Sequence, residues 1–297
     1  MSIELGNGSI ASAERIGAAS PTRAPARAPA PARTRPRRAA SPLKRFYSVI
    51  ATVVVLLIWQ GGVRLFAVPA LILPAPSTIL ATLWVRRSLY LAFSIPTTVE
   101  ILVGFFIAAI AGIFLGMLVS FSSFARSTFY PMLISSQLVP KVAIAPVLII
   151  WFGTGLEAKA FIVFLIAFFP IMISTMVGLE VVEADMLKLF HSMGASSTTT
   201  FLKLRLPAAL PNIFAGMKIG MSLAVVGAIV AEFVAADRGL GYYLLYANGQ
   251  LDSPGVFGAL VLLTVIGVVL YYIVEWSQRL FIPAALIKSA DPTQASM

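Results

Sequence analysis

Six apolar stretches of membrane-spanning length, at about 46–66, 94–120, 130–152, 159–180, 208–233 and 256–280, constrain this chain more than any other feature of its sequence. Each is near the roughly 20 residues that a helix needs to cross the hydrocarbon of a bilayer. A water-soluble fold has no place for them. Of 297 residues, 59% are hydrophobic and 11% charged, with a mean hydropathy of +0.93, whereas soluble domains average about 25% charged. Lipid must be the missing solvent, and the expected fold class is all-α: a polytopic membrane protein with about six transmembrane helices.

The absence of cysteine excludes disulfides, thiol catalysis and thiolate metal sites. With His191 as the single histidine, an imidazole-built metal site is not expected either. The formal charge of +10 resembles a nucleic-acid signal until it is located. Residues 1–45 hold nine Lys or Arg against Glu4 and Glu14, so +7 of the excess sits in a segment rich in Ala, Pro, Arg and Ser. Such a segment has almost nothing to bury and is expected to be a disordered basic tail, ahead of a membrane domain at 46–290. It reads as a positive-inside topology signal or as an attraction for anionic lipid or protein, and not as a nucleic-acid interface. A signal peptide over 1–70 is the rival, disfavoured by the length of its basic region.

With the tail in the cytoplasm, an even number of crossings returns the C-terminus there and places 181–207 there too. Inside segments then hold about fifteen Lys or Arg, and outside segments about five: Arg64, Arg86, Arg87, Lys159 and Arg238. This asymmetry supports the orientation. Tyr271, Tyr272 and Trp276, beside Arg279, read as an interfacial belt. Gly104, Ala108, Gly112, Gly116 and Ser120 form a ridge of small residues at four-residue spacing, as do Gly216, Gly220, Ala224 and Ala228. Residues four apart share a helix face, and small ones let backbones approach closely in lipid. Each ridge is either plain helix packing or a moving, pore-lining face.

Residues 181–207 are the most informative stretch. Val182, Met186, Leu189, Phe190 and Met193 make one apolar helical face, and Glu183, Asp185, Lys188 and His191 do not share it. Gly194 suits a helix C-terminus, Ser196 or Ser197 the next N-cap, and Pro207 the opening of the fifth membrane helix. The expectation is two short helices about a tight turn, standing between two spans. Their apolar face needs a partner groove or else lies on the lipid interface.

Gly194, nine residues, Leu204, one residue, Leu206 and Pro207 match the G-x9-I-x-L-P core of the "EAA" loop. The chain thereby resembles permease subunits of binding-protein-dependent ABC importers. VPKVAIAPVLIIWFGTG (139–155), FFPIMISTMVGLE (168–180), LPAALPNIFAGMKIG (206–220) and AEFVAADRGLGYYL (231–244) are similar to the nitrate/sulfonate/taurine type, with a lean toward the thiamine-precursor and riboflavin branch. The likeness covers roughly residues 70–285. It implies a type I ABC importer permease fold in the bacterial inner membrane, a homodimer, a cytoplasmic ABC ATPase and a periplasmic solute-binding protein. It also implies an ATPase-coupling loop of Glu183, Asp185, Leu187, Lys188, Phe190, His191, Gly194, Ala195, Leu204, Leu206 and Pro207. One departure stands out: Lys188, Leu189 and Phe190 occupy the eponymous Glu-Ala-Ala, so a base replaces the acid, and Glu183 or Asp185 upstream is the available substitute.

No G-x4-G-K-[ST] phosphate loop occurs in the chain. The expectation is therefore a transport subunit rather than an enzyme, with no catalytic residue and no cofactor of its own, ATP and Mg²⁺ being bound by the partner ATPase. Lys141, Pro146, Ser222 and Glu232 are the candidates for the translocation pathway of a small polar or anionic solute. Lys141, between Pro140 and Pro146, costs about 2.5–3.5 kcal/mol at mid-bilayer on insertion scales. It reads as an attraction for the solute, as half of a salt bridge, or as a snorkelling side chain. Lys218 snorkels. Glu232 pairs with Arg238 or helps gate the entrance. Pro140, Pro146 and Pro170 read as kinks. The outer segments 66–92 and 234–254, the latter with Tyr242 and Tyr243, offer a docking surface or lipid anchors. A stand-alone secondary transporter or channel is the alternative function, and it would want more intramembrane charge. An intramembrane enzyme would want spaced histidines or a serine motif that the sequence lacks.

Overall fold

Apolar side chains in lipid leave the backbone no external hydrogen-bond partner, so the chain answers with helices that satisfy it internally. A computed structural model describes residues 42–235 and 237–282. Residues 1–41 of the expected tail, and the end of the expected membrane domain beyond 282, lie outside the described residues, whereas 42–45, expected to be disordered, form the first turn of α1. In chain order the helices are α1 (Pro42–Leu65), α2 (Pro76–Val85), α3 (Arg87–Ser120), α4 (Ser123–Gln137), α5 (Ala145–Phe152), α6 (Leu156–Glu180), α7 (Ala184–Ser192), α8 (Ser197–Thr200), α9 (Leu206–Ala235), α10 (Leu240–Gly249) and α11 (Ser253–Phe281). The chain divides at Ile50, and Pro42–Ile50 is the described part of the shorter, N-terminal unit.

Among the described residues, four helical stretches are long and apolar enough to cross a membrane: Arg87–Ser120, Leu156–Glu180, Ser197–Val234 and Ser253–Phe281. A fifth span results if the bent pair Phe124–Gln137 and Lys141–Phe152 counts as one. The expected first span is α1, whose apolar part is the shorter Val49–Leu65. The span expected over 130–152, with kinks read at Pro140 and Pro146, is broken rather than gently bent: the chain leaves helix after Gln137 and turns by 79°. Proline explains the break. Pro140 has no N–H to extend α4 and bars helical geometry at Val139, while Pro146 suits the first turn of α5.

The expectation that Pro207 opens a new helix is also corrected. Helix runs without interruption from Ser197, and a π-turn at Phe201–Arg205, closed by the Leu206 amide on the Phe201 carbonyl, joins α8 to α9. Pro207 has no donor for the carbonyl four residues back, and such wide turns are where a helix absorbs an irregularity of this kind.

At the centre, α6 packs along both α3 and α9. The two ridges of small residues are the reason. A β-carbon on Gly104 would meet Val163 and the Ala160 carbonyl, one on Gly116 would meet Thr175, and one on Gly216 would meet Ser174 and the Pro170 carbonyl, all residues of α6. The ridges are thus packing faces that bring backbones together. Ile101, Phe105, Val163, Ala167, Ile171, Met221, Ala224 and Leu270 fill the seam. Gly104→Val drives its branches into that backbone contact, and overpacking of this kind costs about 1–3 kcal/mol. A lowered thermal midpoint in detergent checks this, with Gly61→Ala as the control, because nothing lies within 4 Å of a β-carbon there.

Candidate functional site

Two regions concentrate chemistry, one at each end of the α6–α9 pair. At the first end, α7 stands between two spans and terminates in a Schellman turn. Gly194 sits at φ +74, its amide donates to the His191 carbonyl at 3.0 Å, and the Ala195 amide donates to the Phe190 carbonyl at 3.1 Å. Both bonds satisfy carbonyls that a helix end leaves orphaned. Ser196 then caps the following helix, accepting from the Thr199 amide at 3.2 Å. Of the two serines that sequence offered as caps, Ser196 serves.

No residue of α7 is buried. On its apolar face Met186 is 44%, Leu189 52% and Met193 75% exposed, while Leu187 and Phe190 are half-buried. Lys188 pairs with Asp185 at 2.9 Å, both side chains largely exposed, so the base at the unusual position is matched within its own helix by a contact worth little in water. Glu183 occupies the N-cap position without a side-chain cap bond. Leu187, His191, Ser197, Thr200 and Arg205 border, with Phe121 and Phe201, a 280 Å³ cavity. The Phe121 and Phe201 rings meet at 4.7 Å, and Arg126 pairs with Glu180 at 3.1 Å. Both contacts tie the α3–α4 corner to the ends of the loop. Leu204, Leu206 and Pro207 are half-buried in the stretch leading into the membrane helix.

The opposite end holds a buried polar network that sequence reasoning missed. Lys159, expected as an outer-loop cation, lies on the first turns of α6, 3% exposed, with its ammonium 2.9 Å from Glu100 Oε1 on α3. Glu100 is itself 3% exposed, and its Oε2 has no hydrogen-bond partner among the described residues. One turn away, Thr97 Oγ1 lies 2.6 Å from a Glu232 carboxylate oxygen and accepts from the Leu240 amide at 2.8 Å. The Gly241 amide donates to the other Glu232 oxygen. The expected Glu232–Arg238 pair is a correction: Arg238 pairs with its neighbour Asp237 at 3.4 Å, and Glu232 is only 1% exposed. A signal for the network did exist, since Glu100 is the lone acid in the apolar run 94–120. Its partner lies 59 residues away.

The other pathway candidates meet different neighbours. The Lys141 ammonium sits 4.8 Å above the Phe169 ring, a cation–π contact rather than a salt bridge, and Pro146 is exposed on α5. Ser222 borders an apolar 490 Å³ groove between α9 and α11, with Thr264 and Tyr271. Lys218 is half-buried. Of the tyrosines expected to dock or anchor, Tyr243 is buried instead, edge-on to Tyr90 at 5.2 Å and stacked on Phe93 at 5.4 Å. Its hydroxyl accepts from Arg86, which also pairs with Asp252. Those two partners, Asp252 first, raise the guanidinium pKa above its ordinary value and keep it charged.

Residues 104–286 match the family described as "Binding-protein-dependent transport system inner membrane component". The chain belongs to this family. It is an all-α, multi-pass inner-membrane permease of the ABC importer class. As a permease it resembles the formylaminopyrimidine transport permease protein ThiX of Halalkalibacterium halodurans, with 30% identity over 81% of this chain and 98% of that protein. The riboflavin transport system permease protein RibX of Chloroflexus aurantiacus is 34% identical over 78% of this chain and 88% of its own length. The taurine transport system permease protein TauC of Escherichia coli is 30% identical over 82% and 91%.

Proposed function

We propose that this permease works as a homodimer with two copies of a cytoplasmic ABC ATPase and a periplasmic solute-binding protein, with both of its termini in the cytoplasm. The observation that carries the reading is α7, a helix with an uncovered apolar face, anchored at both ends between two membrane spans. A face of that kind needs a groove, and a cleft on the ATPase supplies one. Closure of the ATP-bound ATPases then pushes α7 and the segment up to Leu206 as a lever and tilts the bundle between inward- and outward-facing states. ATP and Mg²⁺ belong to the partner, and the lever performs no chemistry.

The cargo is a small polar or anionic solute, of the sulfonate or taurine kind or of the pyrimidine or riboflavin kind; the named relatives support both groups. Lys141, poised over Phe169 at the break between α4 and α5, is the group offered to it, since transporters place binding groups at broken helices. Purification with the co-encoded ATPase and binding protein tests the proposal. The ATPase is expected to co-purify, and the binding protein to gain thermal stability with one of taurine, an aminopyrimidine or riboflavin. Uptake at full rate in cells lacking every partner ATPase would instead mark a secondary transporter.

A further inference from the structure

For transport, motion at α7 has to reach the far side of the membrane. Ser197–Val234 is one helical stretch of 38 residues, about 57 Å long at 1.5 Å per residue. It begins three residues after Gly194 and ends on Glu232 and its neighbours. At that far end the Glu232 carboxylate takes the Gly241 amide from the first turn of α10 and the Thr97 hydroxyl from α3, and Thr97 in turn accepts from the Leu240 amide.

The glycines of the Gly239–Gly241 turn fit the same carboxylate. A β-carbon on either would collide with Glu232, and Gly239 adopts φ +110 beneath it. One turn along α3, Glu100 and Lys159 join α6 to the same plate of polar contacts. Buried charge within a membrane domain is costly, and where it persists it holds or moves something. The α3–α6–α9 seam is otherwise apolar; here directional bonds join α3, α6, α9 and α10.

We infer that Glu232 and Thr97 are positioning residues for transport, forming the link through which movement of α9 is passed to α10 at the far mouth. The inference rests on the lever reading of α7. Without the link α9 still moves, and α10 no longer follows.

The chain has no cysteine, so single labels report cleanly. A nitroxide is placed at Ser192→Cys on α7 or at Asn248→Cys on α10, both exposed, and read in the complex with its ATPase before and after ATP-plus-vanadate trapping. In the parent both spectra change. In Thr97→Val, which keeps the shape and removes the hydroxyl, and in Glu232→Gln, the Ser192 response persists and the Asn248 response falls by more than half. Thr97→Ser restores it. A role confined to stability would lower the thermal midpoint of the variants and leave both responses intact. An undiminished Asn248 response in both variants overturns the link while the lever stands. A Ser192 label silent in the parent overturns the lever, and the link with it.

Discussion

Gly194→Pro is expected to abolish uptake and capture of the ATPase, while the amount of chain in the membrane stays unchanged. Three features of the turn combine. The residue sits at φ +74, whereas proline fixes φ near −65°. Its amide, which proline lacks, closes the turn on His191. And that turn helps to set the direction of the apolar face of α7, because no residue of α7 is fully buried against the bundle. Space is not the issue, since nothing lies within 4 Å of a β-carbon at Gly194. Gly194→Ala therefore suffers only the backbone penalty of left-handed geometry, about 1–2 kcal/mol, and keeps part of the activity. Asparagine, which tolerates that geometry better, keeps more. A charge at the half-buried Leu187 or Phe190, as in Phe190→Asp, abolishes docking by a separate route. Normal uptake by Gly194→Pro would remove the lever from the mechanism.

Lys159→Met carries the largest expected effect on stability. The pair with Glu100 lies out of water on both sides, with each side chain 4% exposed, and removing one partner of such a pair leaves an uncompensated buried charge worth about 3–5 kcal/mol. Glu100 is poorly placed to bear it, since its second oxygen already lacks a donor. The double variant Lys159→Met with Glu100→Gln exchanges the charge for a neutral amide and recovers most of the loss. Thermal or chemical unfolding of all four proteins in detergent gives the coupling as a double-mutant cycle. Additive losses, each under about 1 kcal/mol, would mean that the two groups do not stabilise one another.

The fold was legible wherever one local property decides it. Apolar run length located α3, α6, α9 and α11, and the four-residue spacing of Gly104, Gly112 and Gly116 announced a close backbone approach. The turn at Gly194 and a serine cap at 196 or 197 followed from residue chemistry at fixed offsets, because a left-handed position and an orphaned amide each admit few side chains; the packed turn selected Ser196. The bend near Lys141 was legible from Pro140 and Pro146 as a kink, but its 79° size was not, because hydropathy runs unbroken across it. At Pro207 the opposite error arose: a proline that suits a helix start lies inside a helix, accommodated by the wide turn before it.

Sequence by itself determined that this chain lives in lipid, that two of its helices carry ridges of small residues, and that an amphipathic helix hinged at Gly194 stands between two spans; periodicity and backbone chemistry act over a few residues and leave their mark in order. Only the tertiary structure decided which charges meet. Glu100 finds Lys159 across 59 residues and Glu232 finds Thr97 across 135, while Arg238, the nearer and expected partner, turns to Asp237. A buried ion answers to whatever donors the packed bundle brings within reach, and that reach is set by how α3, α6 and α9 lie against one another, which no single stretch of chain encodes.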